Sequence, residues 1–92
     1  MIRLTKAIPG GEYRVPEDAV QSTPGGYSGP AVEKLARFEN MADDLAARQE
    51  AIAQDLEALR AAGRQNTVQF KQLLAEKLTN AGTLALLETY CG

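Results

Sequence analysis

Between Ala31 and Ala62, apolar or small side chains recur at Leu35, Phe38, Ala42, Leu45, Ile52, Leu56 and Leu59. The steps alternate three and four, so with Gln49 as its one polar member the series is a heptad a/d seam. A strand repeats every second residue and cannot present this spacing, and neither Gly nor Pro interrupts the run. The spacing predicts a long amphipathic helix, and whatever fold the chain adopts has to cover one stripe along it. At 1.5 Å per residue, ~32 residues make a rod of about 48 Å.

Both ends of this helix are signalled locally. Ser28 or Gly29 can cap its start, Pro30 fits a first turn where its missing N–H costs nothing, and Glu33 complements the dipole. Gly63 supplies the residue beyond the C-terminus, with Arg60 in the last turn. Exposed pairs such as Glu33–Arg37 and Asp44–Arg48 sit at the i,i+4 spacing. Gly63-Arg64-Gln65-Asn66 is a connection short enough to reverse one helix onto its neighbour. Asn66 or Thr67 then caps a second helix, with Gln69 three residues after Asn66 as a weak capping box. Phe70, Leu73, Leu74 and Leu78 form its apolar stripe, extended by Ala81. Asn80-Ala81-Gly82-Thr83 reads as a break or kink, followed by a short last helix carrying Leu84, Leu86 and Leu87 and ending near Tyr90.

Residues 1–30 have a different character, with all four prolines and five of the eight glycines of the chain. Ile2 and Leu4 alternate with polar neighbours, Tyr13 and Val15 flank Arg14, and Pro9-Gly10-Gly11 between them is turn chemistry. A small β-hairpin pairing roughly 2–8 with 12–15 is expected, needing support because an isolated ribbon is marginal in water. Pro16 to Val20 suits a single helical turn with Pro at its first position. Ser22 to Gly29 is a loop by composition. The expected fold is therefore all-α: a long helix plus a shorter kinked helix forming an αα-hairpin at 31–92 (helices at about 31–62 and 67–90). A Gly/Pro-rich arm at 1–30, hairpin or irregular, precedes it.

Two helices cannot hide all this apolar surface. Phe70, Leu73, Leu74, Leu78, Leu84 and Leu87 can cover the seam from Leu45 to Leu59, but Leu35 and Phe38 lie beyond their reach, and Val32 and Met41 fall on a flank. A homo-oligomeric bundle, most simply a dimer of four helices, answers this, with Leu35, Phe38, Leu45, Gln49, Ile52 and Leu56 as its expected interface. Gln49 in a core position would help fix register, or it would snorkel at the seam edge.

The chemistry is bounded by what is missing. The sequence contains no histidine and one cysteine, Cys91. Histidine general bases, Ser-His triads, zinc sites and intrachain disulfides are thereby excluded, and no phosphate-cradling glycine motif is present. An enzyme is not expected, nor any cofactor or metal. The net charge of −2 argues against nucleic acid and against anionic membrane surfaces. No run is apolar enough to span a bilayer, and the N-terminus lacks the apolar region of a signal peptide, so the chain reads as cytoplasmic and reduced.

Three patches remain as candidates for binding. Arg60, Arg64 and Lys71 gather with Gln65, Asn66, Thr67 and Gln69 where the second helix begins, a place for an anion or an ordinary solvated turn. Tyr13 and Tyr27 sit in glycine-rich loops, where they either stack on a ligand or pin the arm; Lys34 and Arg37 could join them around an anion. The acids Glu39, Asp43, Asp44, Glu50, Asp55 and Glu57 are spread around the first helix, as on a solvated face.

Two stretches carry a resemblance. Ala31 to Asn40 (AVEKLARFEN) after a Met-x-Arg-Leu-Thr opening, and Thr67 to Asn80 (TVQFKQLLAEKLTN) with Leu86 to Tyr90, resemble small accessory open reading frames of phages and prophages of Firmicutes. Together they cover about a third of the chain. The resemblance carries over no functional residue. It implies a small helical protein of a mobile element in a bacterial host, of a kind that often counters host defence. On that basis the expected function is sequestration of a nucleotide-derived immune signal, cyclic or ADP-ribose-type, in pockets of a homo-oligomer, with Tyr13, Tyr27, Arg60, Arg64 and Lys71 as ligand-binding residues. The alternatives are a protein that blocks a host defence protein, as anti-CRISPR proteins do, and a structural coiled-coil adaptor. A small DNA-binding regulator fits worse, given the acidic balance and a first helix longer than any groove-reading motif needs.

Overall fold

The structure, a computed structural model, describes residues 2–92. In chain order the elements are β1 (Lys6–Ala7), β2 (Tyr13–Arg14), a 3-10 turn (Glu17–Ala19), β3 (Gln21–Thr23), β4 (Gly26–Ser28), α1 (Pro30–Ala61) and α2 (Val68–Cys91). They fall into two compact units, Met1–Glu39 and Asn40–Gly92.

In the first unit β1 and β2 form the expected antiparallel ribbon, shorter than its sequence suggests, with Lys6 opposite Arg14 and Ala7 opposite Tyr13. The helical turn after Pro16 is also present, but Pro16 precedes it rather than opening it: Ala19 N–H donates to Pro16 O at 2.9 Å. The segment read as a loop is a second antiparallel hairpin, with Ser22 opposite Tyr27 and Thr23 opposite Gly26. Pro24-Gly25 at its tip has the residue order of a type II turn, and Thr23 Oγ1 donates to Gly26 O at 3.1 Å. Ala19 is the one buried residue among those described in this unit. Gly29 lies directly over it with φ of +120°: a β-carbon there would sit 2.7 Å from Ala19 O and 3.0 Å from Val20 Cα. No residue but glycine suits that position. The carbonyl of Gly29 then accepts Glu33 N–H at 3.0 Å and starts α1.

The second unit is an antiparallel helical hairpin. Its turn follows the Schellman pattern: Arg64 N–H donates to Leu59 O (2.8 Å), Gly63 N–H to Arg60 O (3.0 Å), and Gly63 takes φ of +70°. Of the two capping candidates Thr67 is used, its Oγ1 accepting Phe70 N–H at 3.2 Å. Gln69 is therefore one residue short of the position that would close a capping box. Ile52, Leu56 and Phe70 form the buried core, with Leu59 and Leu73 packed against it.

Two expectations about α2 are corrected. The helix runs unbroken through Asn80-Ala81-Gly82-Thr83. One glycine costs a helix only about 1 kcal/mol, less than breaking hydrogen bonds on both sides of it. The covered stripe is also not the one expected. It follows Phe70, Leu73, Lys77, Asn80, Leu84 and Leu87, which again alternates three and four, whereas Leu74, Leu78 and Leu86 are exposed. Ile52 and Leu56, expected at a subunit contact, are closed within the chain's own hairpin, while Leu35 and Phe38 in the first unit are exposed.

Candidate functional site

The polar chemistry of the hairpin is concentrated on its seam, one to two turns beyond the core. Arg48 donates to Glu76 through Nε (2.6 Å) and Nη2 (2.9 Å), a two-pronged pair between half-exposed side chains. The charge-assisted hydrogen bond from Arg48 holds the Glu76 carboxyl below the usual carboxylate range, and Glu76 in turn raises the Arg48 guanidinium. Asn80 Nδ2 adds a 3.4 Å bond to Glu76. Arg48 thus reaches across to α2 instead of pairing with Asp44 on its own helix. Beside it Gln49 Nε2 donates to Lys77 O at 2.9 Å, while Gln49 Oε1 is buried without a partner. Gln49 is therefore a seam amide and does not snorkel.

At the tip, Arg60, Arg64 and Lys71 come from the end of α1, the turn and the first turn of α2. Their roles differ. The Arg60 guanidinium stands 5.5 Å from the centroid of the Phe70 ring and 3.4 Å from a Glu57 carboxylate oxygen, at the edge of the core, with its side chain still largely exposed. The Arg64 carbonyl accepts Thr67 Oγ1–H at 2.7 Å and tightens the turn. Lys71 is exposed on α2.

The tyrosines belong to the first unit. Tyr13, on β2, has the Arg3 guanidinium 5.8 Å above its ring. Tyr27, on β4, is 71 % exposed. Lys34, near the start of α1, donates to Ile2 O. The six acids read as a solvated face are all exposed.

Among the described residues no group of three or more Cys, Asp or Glu side chains converges on a metal-sized point. The one charged pair with shifted ionisation is a structural pair: each partner stabilises the charged form of the other, which moves both away from the neutral range where acid–base catalysis operates. Sequence reasoning missed the Arg48–Glu76–Asn80 cluster. Its signal was available: applying to α2 the 3/4 alternation used on α1, starting from Phe70, places Lys77 and Asn80 on the seam and Glu76 on its edge.

What both units offer in quantity is apolar surface. Leu74, Leu78, Leu86 and Val68 are exposed on α2, and Val32, Leu35 and Phe38 on the early part of α1. Among the described residues no helix is long and apolar enough to cross a membrane. Compared with known protein families, curated proteins and solved structures, the chain matches none.

Proposed function

We propose that this protein is a non-enzymatic, self-associating helical binding module. The observation carrying this reading is the imbalance within the hairpin. Three side chains, Ile52, Leu56 and Phe70, form its buried core, while leucines at full helical spacing remain outside. Water penalises exposed apolar surface at about 25 cal/mol per Å², and short chains with small cores commonly recover that surface by association. Helical hairpins do so by forming bundles.

The narrower role suggested by the phage resemblance, capture of a nucleotide-type immune signal or of a host defence protein, would use such an assembly as its frame. Native mass spectrometry of protein purified from bacterial cells tests both levels. A defined oligomer supports the module. Retained mass released on denaturation supports capture of a small ligand and identifies it. A monomer at every concentration tested would overturn the reading.

A further inference from the structure

The hairpin has two flanks, and one contact identifies which residues share each. A helix turns about 100° per residue, so on α1 Arg48 lies on one side of the seam Leu45–Gln49–Ile52–Leu56, and Ala46 and Ala53 lie on the other. On α2 the seam Phe70–Leu73–Lys77–Asn80 likewise separates Glu76 from Leu74 and Leu78. Arg48 and Glu76 bond to each other, which puts their sides on one flank of the hairpin. Ala46 and Ala53 therefore share the opposite flank with Leu74 and Leu78.

That second flank is a surface of knobs and holes. Leu74 and Leu78 are exposed, Leu78 by 67 %. On α1 a shallow, open surface is lined by Glu50, Ala53, Gln54, Glu57, Ala58 and Ala61. Residues 50, 53, 54 and 57 have the i, i+3, i+4, i+7 spacing of the hole that receives one knob from a facing helix, and residues 46, 49, 50 and 53 form the next hole along. The outer edge of the flank is acidic on α1, with Glu50 and Glu57, and basic on α2, with Lys71.

We propose that a second copy of this chain docks on this flank. In that dimer α2 of each copy lies antiparallel on α1 of the other, Leu74 and Leu78 fill the alanine-floored holes, and Lys71 faces Glu50 and Glu57. The inference rests on the self-associating reading above and specifies its surface. Charge selects this pairing: laying α1 on α1 would set Glu50 and Glu57 against their own counterparts.

Size-exclusion chromatography with light scattering on the full chain provides the test, with circular dichroism to verify that each variant stays helical. Leu78→Lys changes a mostly exposed residue, so the hairpin keeps its helicity while the dimer dissociates. Lys71→Glu and Glu57→Lys each raise the dimer dissociation constant about tenfold, and the double variant returns close to wild type, as expected for paired charges. Isotope-filtered NMR of mixed-label dimer gives contacts between Leu78 methyls of one copy and the Ala53 methyl of the other. A dimer that tolerates Leu78→Lys and ignores the charge exchange overturns this surface and leaves self-association standing. A monomeric wild type overturns both.

Discussion

Gly29→Ala is the most discriminating single change in the first unit. The new methyl would meet Ala19 O at 2.7 Å and Val20 Cα at 3.0 Å, both backbone atoms that no rotamer change can move aside. The backbone at φ of +120° adds conformational strain of about 1–3 kcal/mol for any residue with a β-carbon. Relieving the contact by shifting the chain adds a penalty of the overpacking kind, about 1–3 kcal/mol. Together they span about 2–6 kcal/mol, and a central value near 4 kcal/mol corresponds to roughly 1000-fold in the opening equilibrium. Amide hydrogen exchange reads it at two places: Ala19 N–H, bonded to Pro16 O, and Glu33 N–H, bonded to Gly29 O. Both should exchange roughly 1000-fold faster in the variant. Gly26→Ala is the control, because nothing lies within 4 Å of its added carbon. Protection that survives Gly29→Ala, or is lost equally in Gly26→Ala, refutes the close packing of Gly29 on Ala19.

Three further outcomes are expected in the hairpin. Ile52→Ala removes a side chain with no exposure at all and should lower stability by about 2–5 kcal/mol in chemical denaturation. Gly82→Ala lies inside α2 with open space around it, so it should raise stability by about 0.5–1 kcal/mol and shift the melting midpoint upward. For Glu76→Gln the readout is pH. The folded carboxyl lies below its ordinary value of 4.5, so the pair stabilises the fold above that pH and the stabilisation is lost as pH falls through the folded value. The melting difference between wild type and Glu76→Gln should therefore be present at neutral pH and vanish in acid; a difference that persists undiminished in acid counts against the ion pair.

What the sequence reveals here is what local chemistry decides. Pro30, Gly63 and Thr67 mark helix ends because each satisfies or removes a backbone group at that position, whatever lies nearby. The α1 seam is legible because its apolar residues recur without a competing stripe. In α2 the leucines compete: Leu73 and Leu74 are adjacent, and hydrophobicity alone cannot say which faces α1. The position of Arg48 and Gln49 across the seam decides it, favouring Lys77 and Asn80 over Leu78, and that information lies 28 residues away. The hairpin of β3 and β4 is hidden for a different reason. Gln21, Ser22 and Gly26 have little strand preference, so its pairing rests on the Pro24-Gly25 turn.

The turn joining α1 and α2 also bears on how quickly the hairpin forms. Gly63 and Arg64 donate to the carbonyls of Arg60 and Leu59, and Thr67 donates to the carbonyl of Arg64, so both helices leave it in a fixed direction. The core residues nearest in sequence lie close by, Phe70 in the first turn of α2 and Leu56 about two turns before Gly63. Closing so short a loop loses little chain entropy, and the turn and core can form together before the remaining length zips. Folding rates should therefore respond to Thr67→Ala and to truncation of Phe70, with φ-values well above those at Leu84 and Leu87. Changes at those distal leucines would act mainly on unfolding. On this account the tip of the hairpin is its folding nucleus.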